Sequence, residues 1–239
     1  MSILDDLSSE QERLAQILSG LTDAQWLAES GASGWTVADV VLHLAQSDEG
    51  VVVSAAGGTG LSGAGDVDDW AAARVSAERA APPVVFERWQ RARVAAVAAL
   101  RSADPDQPLQ WVVTQVKPAT LATTRLAEHW AHGLDITEPL GIDFPDTERL
   151  RHIAWLAVRT LPYALARSGV PAGPVRVSVT APDGVDEWRF GPDDAESVIS
   201  GPAGVFCRVA AQRLAPASSG LTVTGPDAAT ALSVVRTYA

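Results

Sequence analysis

Cysteine is almost missing from this chain of 239 residues, where Cys207 stands alone. An intrachain disulfide is therefore impossible, and so is a zinc site built on several thiolates, which leaves histidine and carboxylate as the available metal ligands. A lone Cys207 with no activating neighbour in sequence reads as a small buried apolar residue. Lysine is as scarce, with Lys117 beside 17 arginines, and the charges sum to −11. A chain of that sign has few cations with which to displace counterions from phosphate, which argues against non-specific nucleic-acid binding. It has equally little to offer an anionic lipid surface. Long apolar runs are lacking too: a stretch such as residues 51–56 is far short of the roughly 20 residues that span a bilayer. The N-terminus turns acidic at Asp5 and Asp6, without a basic segment leading into an apolar one, so no secretory signal is expected. These absences leave a cytoplasmic protein whose partner is a small molecule. The preference for Arg over Lys and the abundance of Ala suggest a GC-rich, actinobacterial genome.

What is present is an ordinary globular balance, 47% apolar and 20% charged residues, in a chain long enough for two small domains. Apolar residues at helical spacing run from Ser2 to about Leu21, with Gly20 near the stop. Thr36 and Asp39 form a capping box ahead of a helix that reaches about residue 56. A loop follows at residues 57–65. Helical spacing resumes from Asp68 to about Ala103, broken at Pro82-Pro83, since proline removes a donor and clashes with the preceding turn. Residues 104–118, with three prolines, are expected to be mostly loop. Helices are then predicted over about 119–140 and 146–168. Beyond them the texture changes. Val175, Val177 and Val179 alternate with polar residues, Pro182-Asp183-Gly184 supplies a turn, and short strands and helices follow to the C-terminus. The fold class expected is α followed by α+β: a helical bundle over residues 1–145 and a small α+β domain over 146–239, the boundary falling between 145 and 172.

Glu128 and His132 stand four residues apart on a strongly helical segment, which puts both on one face, close enough to share an ion. On spacing alone such a pair is commonly no more than an exposed ion pair. His129 lies about 100° round the helix from Glu128 and shares that face less well. His43, in mid-helix among Val40, Leu42 and Leu44, reads by itself as a core or surface residue. Asp39 is one turn before His43 and Asp135 three residues after His132, so either acid is placed to take the second N–H of an imidazole. Asp135 reads equally well as an ordinary helix-end acid. Arg125, one turn before Glu128, is a candidate anchor for an anionic substrate group, a surface salt bridge being the plainer alternative. Most of the eight Trp residues are expected to anchor the core, with Trp35 and Trp130 flanking the histidine segments.

The string GWTVADVVLHLAQSD over residues 34–48 resembles the first ligand helix of the mycothiol-dependent maleylpyruvate isomerase N-terminal domain, a branch of the DinB-like metal-binding four-helix bundles. The string TRLAEHWAHGLD over residues 124–135 is similar to the second, in which Glu-x-x-x-His precedes a Gly and a nearby Asp. Trp188 to Gly191, Gly201 to Ala203, residues 206–213 and residues 221–225 resemble the small C-terminal domain often joined to these bundles. The resemblance implies one divalent metal ion on His43, Glu128 and His132, with positions open for water, thiol or substrate. Zinc suits that ligand set first, and nickel, iron and manganese also suit it. It further implies mycothiol or another low-molecular-weight thiol, and a thiol-dependent isomerase or S-transferase acting on a small electrophilic or acidic metabolite. Residues 110–118 depart from the Gly-rich loop common in relatives, and the chain ends Arg236-Thr237-Tyr238-Ala239 rather than aromatic-Ala-Gly. Those departures keep two alternatives open: a tailoring lyase or cyclase of secondary metabolism, and a non-catalytic metal- or ligand-binding module. Nothing in the sequence fixes the oligomeric state.

Overall fold

Capping chemistry sets where the helices begin. In the computed structural model, which describes residues 2–59, 67–112 and 114–237, Ser2 and Asp5 form a capping box that opens α1 (Ile3–Ser19). A second box on Thr22 starts the single turn α2 (Asp23–Trp26). The predicted box on Thr36 and Asp39 opens α3 (Val37–Ala55). The loop expected at 57–65 lies outside the described residues beyond Thr59. The helical stretch that follows divides at the prolines as expected: α4 covers Val67–Ala77, and α5 (Pro82–Ser102) takes Pro82 as its first residue, a position whose N–H has no partner within the helix anyway. Residues 104–118, expected to be mostly loop, also hold a short hairpin. β1 (Leu109–Trp111) and β2 (Thr114–Val116) pair antiparallel, and Pro118 then opens α6 (Pro118–Thr137).

The chain divides into two compact units, residues 1–144 and 145–239. In the first, α1 packs against α5 and α6, and α3 packs against the same two helices, which closes a four-helix bundle. Its core is the inward stripe of each helix, with Leu14, Leu18, Val40, Val41, Leu44 and Trp89 all at most 1% exposed. Burying such side chains contributes roughly 1.5–3 kcal/mol each, so the bundle frame is a firm support for polar groups set into it.

The second unit holds α7 (Leu150–Ser168), whose end is turned by Gly169 at φ 67°, a left-handed conformation that glycine adopts without strain. β3 (Val175–Thr180), β4 (Glu187–Phe190), β5 (Ser197–Pro202) and β6 (Thr222–Thr224) form a sheet in the order β4-β3-β5-β6. Only β3 and β5 run parallel. The connection after β5 carries α8 (Ala203–Ala210), and α9 (Ala228–Val234) closes the unit. The alternation read in β3 buries Val175, Val177 and Val179. Cys207 lies fully buried on α8, and burial pushes its thiol pKa far up. Among the described residues no helix is long and apolar enough to cross a membrane.

Candidate metal centre

His43 stands in the first half of α3, and Glu128 and His132 lie one turn apart on the facing side of α6. The fold brings these three together, with one ligand atom from each lying within 4.8 Å of the others. Both imidazoles address the same carboxylate oxygen. His43 Nε2 is 3.4 Å from Glu128 Oε2, and His132 Nε2 is 3.5 Å from it. The side chains are between 9% and 17% exposed, so the cluster is sheltered yet reachable. Trp35, at the end of the loop that leads into α3, leans over both rings, its centroid 5.1 Å from His43 and 6.4 Å from His132.

The supporting residues divide. Asp135 Oδ2 accepts from His132 Nδ1 at 2.8 Å, a bond that fixes a proton on Nδ1 and leaves Nε2 as the ring nitrogen turned to Glu128. Gly31 makes room for this acid: a Cβ there would lie 3.1 Å from the Asp135 Cα and 3.2 Å from its Oδ1. Asp39, expected behind His43, is taken up elsewhere. Its Oδ2 caps the Thr36 N–H at 3.0 Å, and both of its oxygens accept from Arg79 at 2.8 and 3.0 Å. The carboxylate is thus spent on the helix start. Arg125 is neither a surface ion pair nor open to a substrate. It is 2% exposed, its Nε donates to Asp48 Oδ1 at 3.1 Å, and its Nη1 lies 3.8 Å from Glu128 Oε2.

His129 points away from the cluster into the bundle. Its Nδ1 bonds the Arg125 carbonyl at 2.7 Å. Its Nε2 meets the Trp89 indole N–H at 3.3 Å and Asp48 Oδ2 at 3.2 Å. Asp48 is the residue that sequence reasoning passed over. The available signal was its phase: it falls in the inward stripe of α3 with Val37, Val41, Leu44 and Val51, where a buried acid requires partners from other helices.

Burial raises the cost of every charge here, but neighbouring groups decide the outcome. Burial works to raise the Glu128 pKa, yet hydrogen bonds from His132 and His43 and the Arg125 charge hold it well below the usual carboxylate range. Burial works to lower the His132 pKa, but Asp135 and Glu128 outweigh it and raise it. For His43 burial wins over Glu128, and the pKa falls. Asp48 stays low against its burial because of His129 and Arg125. The result is an ionised carboxylate flanked by two imidazoles in a low-dielectric cleft.

Fold and site together define a class: a four-helix bundle that gathers two imidazoles and one carboxylate between two facing helices. Residues 7–137 match the family of the mycothiol maleylpyruvate isomerase N-terminal domain, and the chain belongs to that family. Two uncharacterized proteins of Mycobacterium tuberculosis, Rv0036c and MT0041, are each 33% identical to it over 98% of this chain and 94% of their own length. Crystal structures of the mycothiol-dependent maleylpyruvate isomerase and of a mutant of it share the fold. Their TM-scores are 0.64 and 0.62, at 17% and 16% identity, over 92% of this chain and 91% of theirs.

Proposed function

We propose that the protein is a divalent-metal enzyme that uses a low-molecular-weight thiol of the mycothiol kind to isomerise a small electrophilic or acidic metabolite, or joins that thiol to it through sulfur. The observation that carries this reading is the convergence of His43 Nε2 and His132 Nε2 on one oxygen of an ionised Glu128, in a chain of this family. The donors fit a divalent ion by their chemistry. Two neutral nitrogens and one carboxylate oxygen suit zinc first and nickel, iron or manganese after it, and three protein ligands leave coordination positions free. A bound ion would supply Lewis acidity, which lowers the pKa of a coordinated thiol and makes it nucleophilic at neutral pH.

The chain's own residues have separate tasks in that reading. Asp135 holds His132 in the tautomer whose Nε2 is free. Trp35 walls one side of the two rings and sheds water from it. The isomerisation adds the thiolate sulfur to an activated double bond, moving the π pair onto the activated neighbouring carbon, allows rotation about the resulting single bond, and returns the pair to expel the thiolate unchanged. S-transfer stops at the adduct, where that carbon takes up the thiol's proton. The cytoplasm, which keeps such thiols reduced, is the compartment this chemistry requires. The departure at residues 110–118 from the loop common in relatives keeps a tailoring lyase or cyclase as the second reading.

Elemental analysis of the purified wild type beside His43→Ala and His132→Ala tests the centre. One equivalent of metal in the wild type and its loss in both variants is the expected result; a metal-free wild type would overturn the reading. Perturbation of a cobalt-substituted spectrum by added thiol supports the enzyme. Metal without any thiol response or turnover of electrophiles supports a binding module instead.

A further inference from the structure

A guanidinium in the middle of a helical bundle is costly to bury, and a fold retains one only with its partners held in place. Arg125 meets that condition on one side. Asp48, 1% exposed, takes its Nε at 3.1 Å and is itself approached by Gln11 at 3.4 Å and His129 at 3.2 Å. Those contacts tie α1, α3 and α6 to one carboxylate, and Trp89 adds α5 through His129. The other side of the fork is different. Nη2 of Arg125 is buried with no hydrogen-bond partner. Nη1 lies 3.8 Å from Glu128 Oε2, the oxygen that both imidazoles address. A pair serving only to join α3 to α6 has no need to bring a second guanidinium nitrogen toward that oxygen.

We propose that Arg125, clamped by Asp48, is a positioning residue for Glu128, steering its Oε2 to the point where His43 and His132 meet. This rests on the metal-centre reading above. Outer partners of a metal-bound carboxylate fix its orientation, and their removal weakens metal binding by about 10- to 100-fold. Glu128 sits one turn along α6 from Arg125, so the guanidinium limits the carboxylate's swing toward Asp48 while the imidazoles bound it on the far side.

The double variant Asp48→Asn/Arg125→Met tests this, because it removes one negative and one positive charge and leaves the net charge of the cluster unchanged. The positive charge nearest Glu128 is still lost, so a change in the ligand-field bands, which follow geometry, is what reports orientation beside the change in metal affinity. Replacing a buried ion pair as a unit is commonly tolerated by the fold, which circular dichroism and thermal melting check. Cobalt affinity is expected to fall about 10- to 100-fold, with altered ligand-field bands. Adding Glu128→Gln to the double variant is expected to cost less than in the wild type, because the carboxylate is already misplaced. If the double variant does not fold, Arg125→Lys takes its place. Its single ammonium does not reach Asp48 and Glu128 together, and about a tenfold loss is expected. Unchanged affinity and bands in a folded variant, while the wild type binds cobalt, would overturn this inference alone. A wild type that binds no cobalt overturns the metal reading, and this inference with it.

Discussion

The substitution Asp135→Asn changes little but a charge, and its effect on the centre follows from the geometry. The Asp135 carboxylate lies 2.8 Å from His132 Nδ1, and the two side chains are 5% and 9% exposed, so water does not screen the bond. With its amide oxygen toward the ring, the substituted side chain keeps the tautomer but loses the charge. With its NH2 toward the ring, the proton moves to Nε2 and blocks the lone pair. Partners of this kind are worth about 10- to 100-fold in metal affinity, or about 1.4–2.7 kcal/mol. The sign with pH follows from His132. Burial lowers its pKa, but Asp135 and Glu128 raise it above the ordinary 6.5, so in the wild type a proton competes with the ion to a higher pH. Asp135→Asn loses intrinsic affinity and also part of that competition. The deficit is therefore full at alkaline pH and narrows as pH falls below the raised pKa. The assay is competition for cobalt or zinc against a chromophoric chelator across pH. An affinity within about twofold of wild type at alkaline pH, with the fold intact, would refute the role of Asp135.

Other consequences lie closer to the fold. Gly133→Ala places a Cβ 2.6 Å from Phe144 Cζ, and the guanidinium of Arg13, 3.6 Å from the ring centroid, limits how far that ring can retreat. The cost is about 1–3 kcal/mol in urea unfolding, and Phe144→Leu in the same chain should recover part of it; strict additivity would count against the clash. Thr36→Ala removes the side-chain cap of α3 and is expected to cost about 1 kcal/mol. Asp39→Asn tests the same helix start by pH. Although burial works to raise it, Arg79 and Thr36 hold the Asp39 pKa below its ordinary 3.8, so its stabilisation is present above that value and lost as pH falls through the lowered one. The gap in melting temperature between the wild type and Asp39→Asn should be full at neutral pH and close below about 3.8. Cys207, fully buried with its pKa pushed up, should react with a thiol reagent only at the rate of unfolding; prompt labelling of the native protein would contradict its placement.

Local chemistry is open to inspection in the sequence because short-range rules govern it. The Thr36–Asp39 box, the division at Pro82, the turn after α7 and the shared face of Glu128 and His132 depend on neighbours within about one helical turn. The hairpin at residues 109–116 escapes such rules because its three-residue strands are too short to show a period, and the prolines beside them read as loop. Spacing also cannot bring His43 to Glu128, which lies 85 residues away; only the motifs shared with a family suggest it. The tertiary structure decided what each ionisable group is for. Asp39 met Arg79 from the link between α4 and α5, Arg125 went into the core against Asp48, and Asp135 turned to His132. A charge in sequence carries no record of its partner. Its dielectric surroundings and the donors it faces are set by helix packing, and those determine whether it caps a helix, closes a core or orients a metal ligand.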